Sequence, residues 1–98
     1  MNFTYTIFSC NEEERWLFIS SNDDDLNETD SFVFLLKAIA ERINGKICSM
    51  GDFSYKIDND PLQLVYQWDS LFGITVVYPR NVSEKQAKAF FENLPWFH

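Results

Sequence analysis

The sequence predicts one α+β domain in which two helices pack on an antiparallel sheet of five or six strands, in the order β-β-α-β-β-β-β-α. Two observations predict this class. Apolar residues alternate with a period of two in two short segments before residue 21 and again through residues 46–78, whereas two other segments repeat at helical spacing. The later strands are joined by connections too short for the crossover of about a dozen residues that parallel strands need.

The first third of the chain predicts a β-hairpin. Residues 3–9 place Phe3, Tyr5 and Ile7 on one face with threonines opposite, which is typical of a strand. Residues 15–20 form a second predicted strand around the apolar run 16–19. Residues 9–14 are then the hairpin loop, and residues 21–29 form a polar loop.

The spacing of apolar residues changes to three and four from residue 30, which predicts a helix. Its predicted inner stripe is Phe32, Leu35, Leu36, Ile39 and Ile43, and Phe34 and Ala38 widen that stripe to more than half of the circumference. Asp30 suits the N-cap, and Gly45, after Asn44, is the predicted left-handed residue that ends the helix.

Four short strands are predicted at residues 46–50, 53–57, 62–68 and 72–78, separated by residues that favour turns. A second helix begins at Ser83, where Ser83 and Gln86 match a capping box. It runs to about residue 94, before Pro95, and its predicted inner stripe is Ala87, Phe90, Phe91 and Leu94. Trp96 and Phe97 lie beyond the proline, so they either dock on the domain or contact a partner.

Length and composition predict a single domain over residues 1–98. Ten phenylalanines and a 46% hydrophobic content supply enough apolar surface for a core without metals or disulfides. Disulfide-dependent small domains carry four or more cysteines, so we expect Cys10 and Cys48 to be reduced and at least partly buried.

The amino-terminal residues lack the basic start and the apolar run of a signal peptide, and no stretch approaches the roughly 18 apolar residues of a membrane span. We therefore expect a cytoplasmic protein with no membrane partner.

Negative charge is concentrated in the first third of the chain. The net charge is −7, and residues 1–30 hold eight acids against Arg15, whereas the acids and bases of residues 31–98 balance. Two acidic clusters, at residues 12–14 and 23–28, flank the apolar run 16–19. Such a negative field attracts a basic partner and repels the phosphates of nucleic acid, so we expect no nucleic-acid binding.

Residues with catalytic or metal-binding chemistry are sparse. The one histidine is His98, the last residue, so a histidine triad or histidine metal site is not predicted. A calcium-binding loop that began at Asp23 would need a glycine at its sharp turn and a carboxylate at its twelfth position. The segment has no such glycine, and the twelfth position is Phe34. Asp58, Asp60 and Asp69 remain candidates for acid and base chemistry, although Asp60, before Pro61, also suits a turn and Asp69 suits a strand end. We predict no cofactor, no metal and no small-molecule substrate.

The run Asp60–Pro79, with the size and acidity of the chain, resembles the small bacterial immunity proteins that guard cells against polymorphic toxins, including those of contact-dependent growth inhibition systems. This resemblance implies a tight one-to-one complex with a cognate basic toxin domain, often a nuclease such as an RNase. The immunity protein would cover the toxin's active site or its substrate-binding surface. The resemblance carries over no functional residue.

The charge pattern predicts the partner-binding residues. They are Glu12, Glu13, Glu14, Trp16, Asp23, Asp24, Asp25 and Glu28, with Trp16 as an aromatic anchor beside the acids. Three other classes stay open. An adaptor or subunit of a protein complex predicts an exposed apolar face, a small enzyme predicts a pocket of carboxylates, and a nucleic-acid mimic predicts acids spaced along one long face.

Overall fold

A computed structural model describes residues 4–9, 13, 15–21 and 28–97, which form one six-stranded antiparallel sheet and two helices. The strands are β1 (Tyr5–Ser9), β2 (Trp16–Ser21), β3 (Ile47–Gly51), β4 (Ser54–Ile57), β5 (Val65–Asp69) and β6 (Gly73–Val77), and the helices are α1 (Glu28–Ile43) and α2 (Glu84–Glu92). The predicted α+β class and element order are confirmed.

The spatial order of the strands is β1-β2-β6-β5-β4-β3. Strand β6 lies between β2 and β5, so the amino-terminal hairpin joins the sheet through the last strand of the chain. Leu17 pairs with Val76 and Ile19 with Ile74 across this junction. Strands β1 and β3 are left at the two edges.

The core lies between the helices and one face of the sheet. Tyr5, Leu17, Tyr66 and Val76 are fully buried there, and the strand registers place all four side chains on the same face. Phe32 of α1 packs on this face, as do other buried residues of the helix that the spacing predicted, namely Leu35, Leu36 and Ile39.

Helix α1 begins and ends differently from the prediction. It begins at Glu28, so Asp30 lies in its first turn, where the helix dipole favours negative charge, and is not the N-cap. Asn44, and not Gly45, adopts the left-handed conformation, with φ 55°. The N–H of Gly45 donates to Ala40 O at 2.8 Å, which completes a Schellman motif. Gly45 is needed for a close approach instead, because a Cβ there would overlap the Asp58 carbonyl oxygen.

Helix α2 starts as its sequence predicts. Ser83 is the N-cap, its hydroxyl accepts from the Gln86 N–H at 3.1 Å, and the Gln86 side chain accepts from the Ser83 N–H at 2.8 Å. The helix ends at Glu92, about two residues earlier than predicted. Of the predicted inner stripe, Ala87, Phe91 and Leu94 are buried, and Phe90 is partly buried and packs against the core from the margin of the stripe.

The carboxyl-terminal residues dock on the domain. Phe97 is buried, and its ring stacks on Tyr5 at 5.4 Å and packs against Phe91 at 5.2 Å. The Tyr5 N–H donates to Trp96 O at 2.8 Å, so the chain end also covers part of the free edge of β1. Of the two alternatives for Trp96 and Phe97, docking on the domain is the one observed.

Arg15 ties the first hairpin to the chain after β6. Its guanidinium donates to the carbonyl oxygens of Pro79 and Val82, and its Nε donates to Tyr78 O at 3.2 Å. The guanidinium carbon also lies 4.7 Å from the centre of the Tyr78 ring. The one base of the acidic first third therefore binds backbone carbonyls.

Cys48 is a free and exposed thiol, so the expectation that it is buried was wrong. It lies on an edge strand whose five residues are all exposed. Cys10 lies outside the described residues, as do Phe3 and His98. Neither helix, over the residues described, is long and apolar enough to cross a membrane.

The two adjacent rings of α2 should differ in their contribution to stability. We expect Phe91→Ala to lower the free energy of unfolding by about 3 to 5 kcal/mol, because it removes a fully buried ring. Phe90→Ala should cost clearly less, because part of that ring already contacts water. Urea unfolding of both variants is the measurement, and an equal or greater cost at Phe90 would contradict the assignment of the inner face.

The hydroxyl of Tyr66 should make stability depend on alkaline pH. Burial, together with the nearby negative charge of Asp60, raises the pKa of Tyr66 well above its usual value of 10.0. Folding then favours the protonated form, so this contribution is complete below about pH 10 and is lost as pH rises above it. The Tyr66 hydroxyl has no hydrogen-bond partner among the described residues, so Tyr66→Phe should leave stability at pH 7 unchanged or slightly higher.

Urea unfolding of wild type and Tyr66→Phe at pH 7 and pH 11 tests this dependence. Wild type should lose about 1 kcal/mol more than the variant between the two values. The pKa of Tyr5 is also raised, to about 12, but Tyr5 is present in both proteins and cancels in the comparison. Equal losses in the two proteins would show that Tyr66 does not titrate in this way.

Candidate functional site

Both helices cover the same face of the sheet. Phe32 of α1 lies 5.8 Å from the Tyr55 ring, and Phe91 of α2 lies 6.3 Å from the Tyr66 ring. Tyr55 and Tyr66 are direct cross-strand partners, so they lie on one face. The opposite face, which we call the open face, is covered by neither helix.

The open face carries two rows of cross-strand neighbours. One row consists of Phe8, Phe18, Thr75, Gln67 and Ser54, and the other of Trp16, Val77, Val65, Lys56 and Cys48. In the first row Phe8 and Phe18 are apolar and the residues from Thr75 onward are polar, whereas in the second row Trp16, Val77 and Val65 are apolar and Lys56 is charged. The apolar part of the open face therefore lies toward β1 and β2.

Four aromatic residues, Phe8, Trp16, Phe18 and Phe72, form what we call the aromatic cluster. Phe18 lies at its centre: its ring stacks on Phe72 at 5.7 Å with an interplanar angle of 18°, and meets Trp16 edge-on at 6.5 Å. Phe8 is the direct cross-strand partner of Phe18. Phe8 is 51% exposed and Phe72 58% exposed, so the cluster presents its rings to solvent.

The β5–β6 turn positions Phe72 and a further apolar side chain. Asp69 Oδ1 accepts hydrogen bonds from the N–H groups of Leu71 at 2.7 Å and Phe72 at 3.2 Å, which is the pattern of an Asx turn. Gly73, with φ 71°, then returns the chain to β6. This turn directs Phe72 toward Phe18. Leu71, the residue before Phe72, is 84% exposed beside the aromatic cluster.

The structure places two of the eight predicted site residues with their side chains. Trp16 belongs to the aromatic cluster, and Glu13 is exposed in the loop of the β1–β2 hairpin. Glu28 is the first residue of α1, and its side chain is not described. Glu12, Glu14, Asp23, Asp24 and Asp25 lie outside the described residues. In the sequence, these acids come directly before and after β2, the strand that carries Trp16 and Phe18.

The candidate catalytic carboxylates each accept backbone hydrogen bonds, Asp60 and Asp69 from their own turns and Asp58 from a residue twelve positions earlier. Asp58 accepts from the Lys46 N–H, and Asp69 forms the Asx turn described above. Asp60 is only 2% exposed and accepts from the N–H groups of Leu62 at 2.9 Å and Leu64 at 3.0 Å. The turn predicted at Asp60 and the strand end predicted at Asp69 are therefore both present.

A groove of about 570 Å³ lies on the other side of the molecule, between α1 and the docked chain end. Its lining residues are Phe34, Lys37, Ala38, Glu41, Arg42 and Trp96. Among the described residues this lining holds one carboxylate, so it offers no carboxylate pair for acid and base chemistry. Within the same part of the chain, no group of three His, Cys, Asp or Glu side chains is arranged to hold a metal ion.

Sequence reasoning found Trp16 but missed Phe8, Phe18, Leu71 and Phe72. The sequence of β2 held a signal: all four residues of Trp16-Leu17-Phe18-Ile19 are apolar, although alternate residues of a strand face opposite sides of the sheet. Such a strand has apolar side chains on both faces of its sheet. With both helices on one face, the second set of apolar side chains must lie on the open face.

Comparisons with protein-family models, with curated proteins and with solved structures found no match to this chain.

The two exposed apolar side chains of the β5–β6 turn should contribute little to folding. We expect Leu71→Ser and Phe72→Ser each to change the free energy of unfolding by about 1 kcal/mol or less, since both side chains are mostly in water. Leu17→Ala, on the covered face of β2, is the contrasting variant and should cost about 2 to 5 kcal/mol. A loss at Phe72 as large as that at Leu17 would mean that the ring belongs to the folding core.

Proposed function

We propose that this protein binds another protein through the aromatic cluster on its open face, and that the partner is a cationic domain. In its specific form, the proposal is an immunity protein that neutralises a cognate basic toxin domain, a nuclease such as an RNase. The observation that supports it most is that β2 combines aromatic side chains with neighbouring acidic residues, the two features that such an interface needs. It bears Trp16 and Phe18 on the open face, and acidic residues adjoin both of its ends in the sequence.

The aromatic cluster supplies the kind of surface from which binding energy comes. A few aromatic side chains dominate most protein interfaces, because each removes a large apolar area from water at a small cost in side-chain entropy. Here, three phenylalanines and one tryptophan adjoin one another, with Leu71 alongside. A patch of this kind left in water favours association, so a partner that covers it gains stability.

The charge of the chain favours a cationic partner. All of the net charge of −7 comes from residues 1–30, and residues 31–98 are balanced. A one-sided negative field accelerates the encounter with a positively charged surface and repels nucleic acid. The acids would guide the partner to the hairpin that carries three of the four residues of the aromatic cluster, and the rings would then hold it there.

A basic nuclease domain matches both features. Such enzymes hold phosphates with lysine and arginine side chains, and carboxylates form the same charge-assisted hydrogen bonds with those cations. Glu12, Glu13, Glu14, Asp23, Asp24, Asp25 and Glu28 are the proposed competitors for these cations. The complex would block substrate from the nuclease without any reaction by this chain.

A second candidate is a non-catalytic adaptor or subunit of a bacterial protein complex. The apolar open face favours it, since an adaptor needs an exposed apolar surface and makes no demand on partner charge. The two candidates differ in how binding depends on ionic strength. Association with a cationic toxin slows steeply as salt rises, whereas association through apolar surface alone changes little.

The test uses the protein encoded by the reading frame directly upstream of this gene, produced with and without this chain. We expect a basic carboxyl-terminal domain that stops bacterial growth when produced alone, is harmless with this chain, and copurifies with it at one-to-one stoichiometry. Failure of the upstream product to bind would contradict the immunity proposal. Salt-independent binding to a neutral, non-toxic product would establish the adaptor instead.

Two variants of equal charge then test where the acids act. We expect Asp24→Lys/Asp25→Lys to slow association with the toxin domain about tenfold at low salt, because the reversal removes attraction at the interface. Glu41→Lys/Glu92→Lys changes net charge equally at exposed sites on the two helices, and should slow association much less. Equal association rates in stopped-flow mixing would remove the assigned site while leaving the partner in place.

A further inference from the structure

The two edges of the sheet differ in how they are protected. The edge of β1 is partly covered by the chain end, through the hydrogen bond from Tyr5 N–H to Trp96 O. The outer edge of β3 pairs with no strand among the described residues. Its five residues, Ile-Cys-Ser-Met-Gly, include no charge and no proline, which are two of the devices that keep free edges from pairing.

We infer that the free edge of β3 is a self-association surface, at which a second copy of this chain pairs antiparallel around Ser49 and joins the two sheets. Apolar side chains accompany the edge: Met50 is 55% exposed, Phe53 48% and Ile47 38%. A partner strand would satisfy the free backbone groups and cover part of this apolar surface.

The hydrogen-bond pattern of β3 permits this arrangement. The Asp58 N–H donates to Lys46 O at 2.9 Å, so the backbone groups of Lys46 face β4. Because these groups alternate along an antiparallel ladder, those of Ile47 and Ser49 point to the free edge. Two Ser49 residues related by a two-fold axis can therefore exchange both of their N–H to carbonyl hydrogen bonds. The bulge of β3 lies beyond Ser49, between Ser49 and Gly51, and leaves this central pair intact.

Charge selects this register over its neighbours. Pairing around Ser49 brings Lys46, which precedes β3, close to the turn after β3 of the other copy, which holds Asp52, so each end of the joined strands places a cation near an anion. Pairing around Cys48 moves Lys46 away from Asp52 and toward Met50, which weakens both attractions. Lys46 and Asp52 are exposed in the single chain, so both are accessible to a second copy.

Two copies, each with a net charge of −7, repel each other, and pairing through β3 keeps their acidic segments far apart. The acidic first third supplies β1 and β2, which lie at the far side of the sheet from β3. In the joined sheet the two β1 strands would be about 50 Å apart, at a strand spacing near 4.8 Å, which is several Debye lengths in physiological salt. Both open faces would lie on the same side of the joined sheet and remain free.

Charge reversal and rescue, measured by sedimentation equilibrium, test the inference. We expect wild type to form a reversible dimer of twice 11.6 kDa. Lys46→Asp and Asp52→Lys should each raise the dimer dissociation constant about tenfold, and the double exchange should restore it to within about threefold of wild type. Lys85→Asp and Glu92→Lys, which change net charge in the same two ways on α2, should change it little.

A cross-link tests the register. With Cys10 and Cys48 both replaced by serine, Ser49→Cys should give a covalent dimer under mild oxidation, because Cα atoms of a hydrogen-bonded pair lie about 5.5 Å apart. Ser70→Cys, exposed at the β5–β6 turn, is the matched control and should stay monomeric. A wild-type chain that remains monomeric at millimolar concentration, or a dimer that neither charge reversal weakens and Ser49→Cys does not trap, would overturn the inference.

Discussion

The packing of both helices on one face of a single sheet is the constraint on which the rest of the structure depends. It gives the domain two layers, with Phe32 of α1 and Phe91 of α2 both directed at the tyrosines of the covered face. A two-layer domain leaves the second face of its sheet to water or to a partner. Here the β1–β2 end of that face is apolar, unlike the solvated face of many antiparallel sheets, because Phe8, Trp16 and Phe18 extend from it.

Two local features fix the shape of the open face. Arg15 binds the carbonyl oxygens beyond β6, which holds the start of β2 against the chain that leads into α2. At the other end of the same strands, the Asx turn of Asp69 holds Phe72 against Phe18. The aromatic cluster therefore lies on rigid strands with a defined turn, and a partner would pay little to order it.

Periodicity predicted the elements well because it reports local geometry. The alternation of β1 and the capping box of Ser83 and Gln86 depend only on residues close in sequence, and both are confirmed. The errors arose where contacts with residues distant in sequence determine the local conformation. Gly45 does not take the left-handed conformation that the sequence predicted for it. Asn44 takes that conformation, and Gly45 makes room for the Asp58 carbonyl oxygen, thirteen residues further along the chain.

The candidate site was predicted only in part for the same reason. Charge counts identified acidic segments next to Trp16, but the role of Phe8 and Phe72 depends on strand order, and the sequence does not contain the pairing of β2 with β6 in any local pattern. Cross-saturation NMR of this protein bound to its partner tests whether the aromatic cluster is the binding surface. We expect the strongest saturation transfer at Phe8, Phe18 and Phe72, and transfer confined to the outer surfaces of α1 and α2 would contradict binding through the open face.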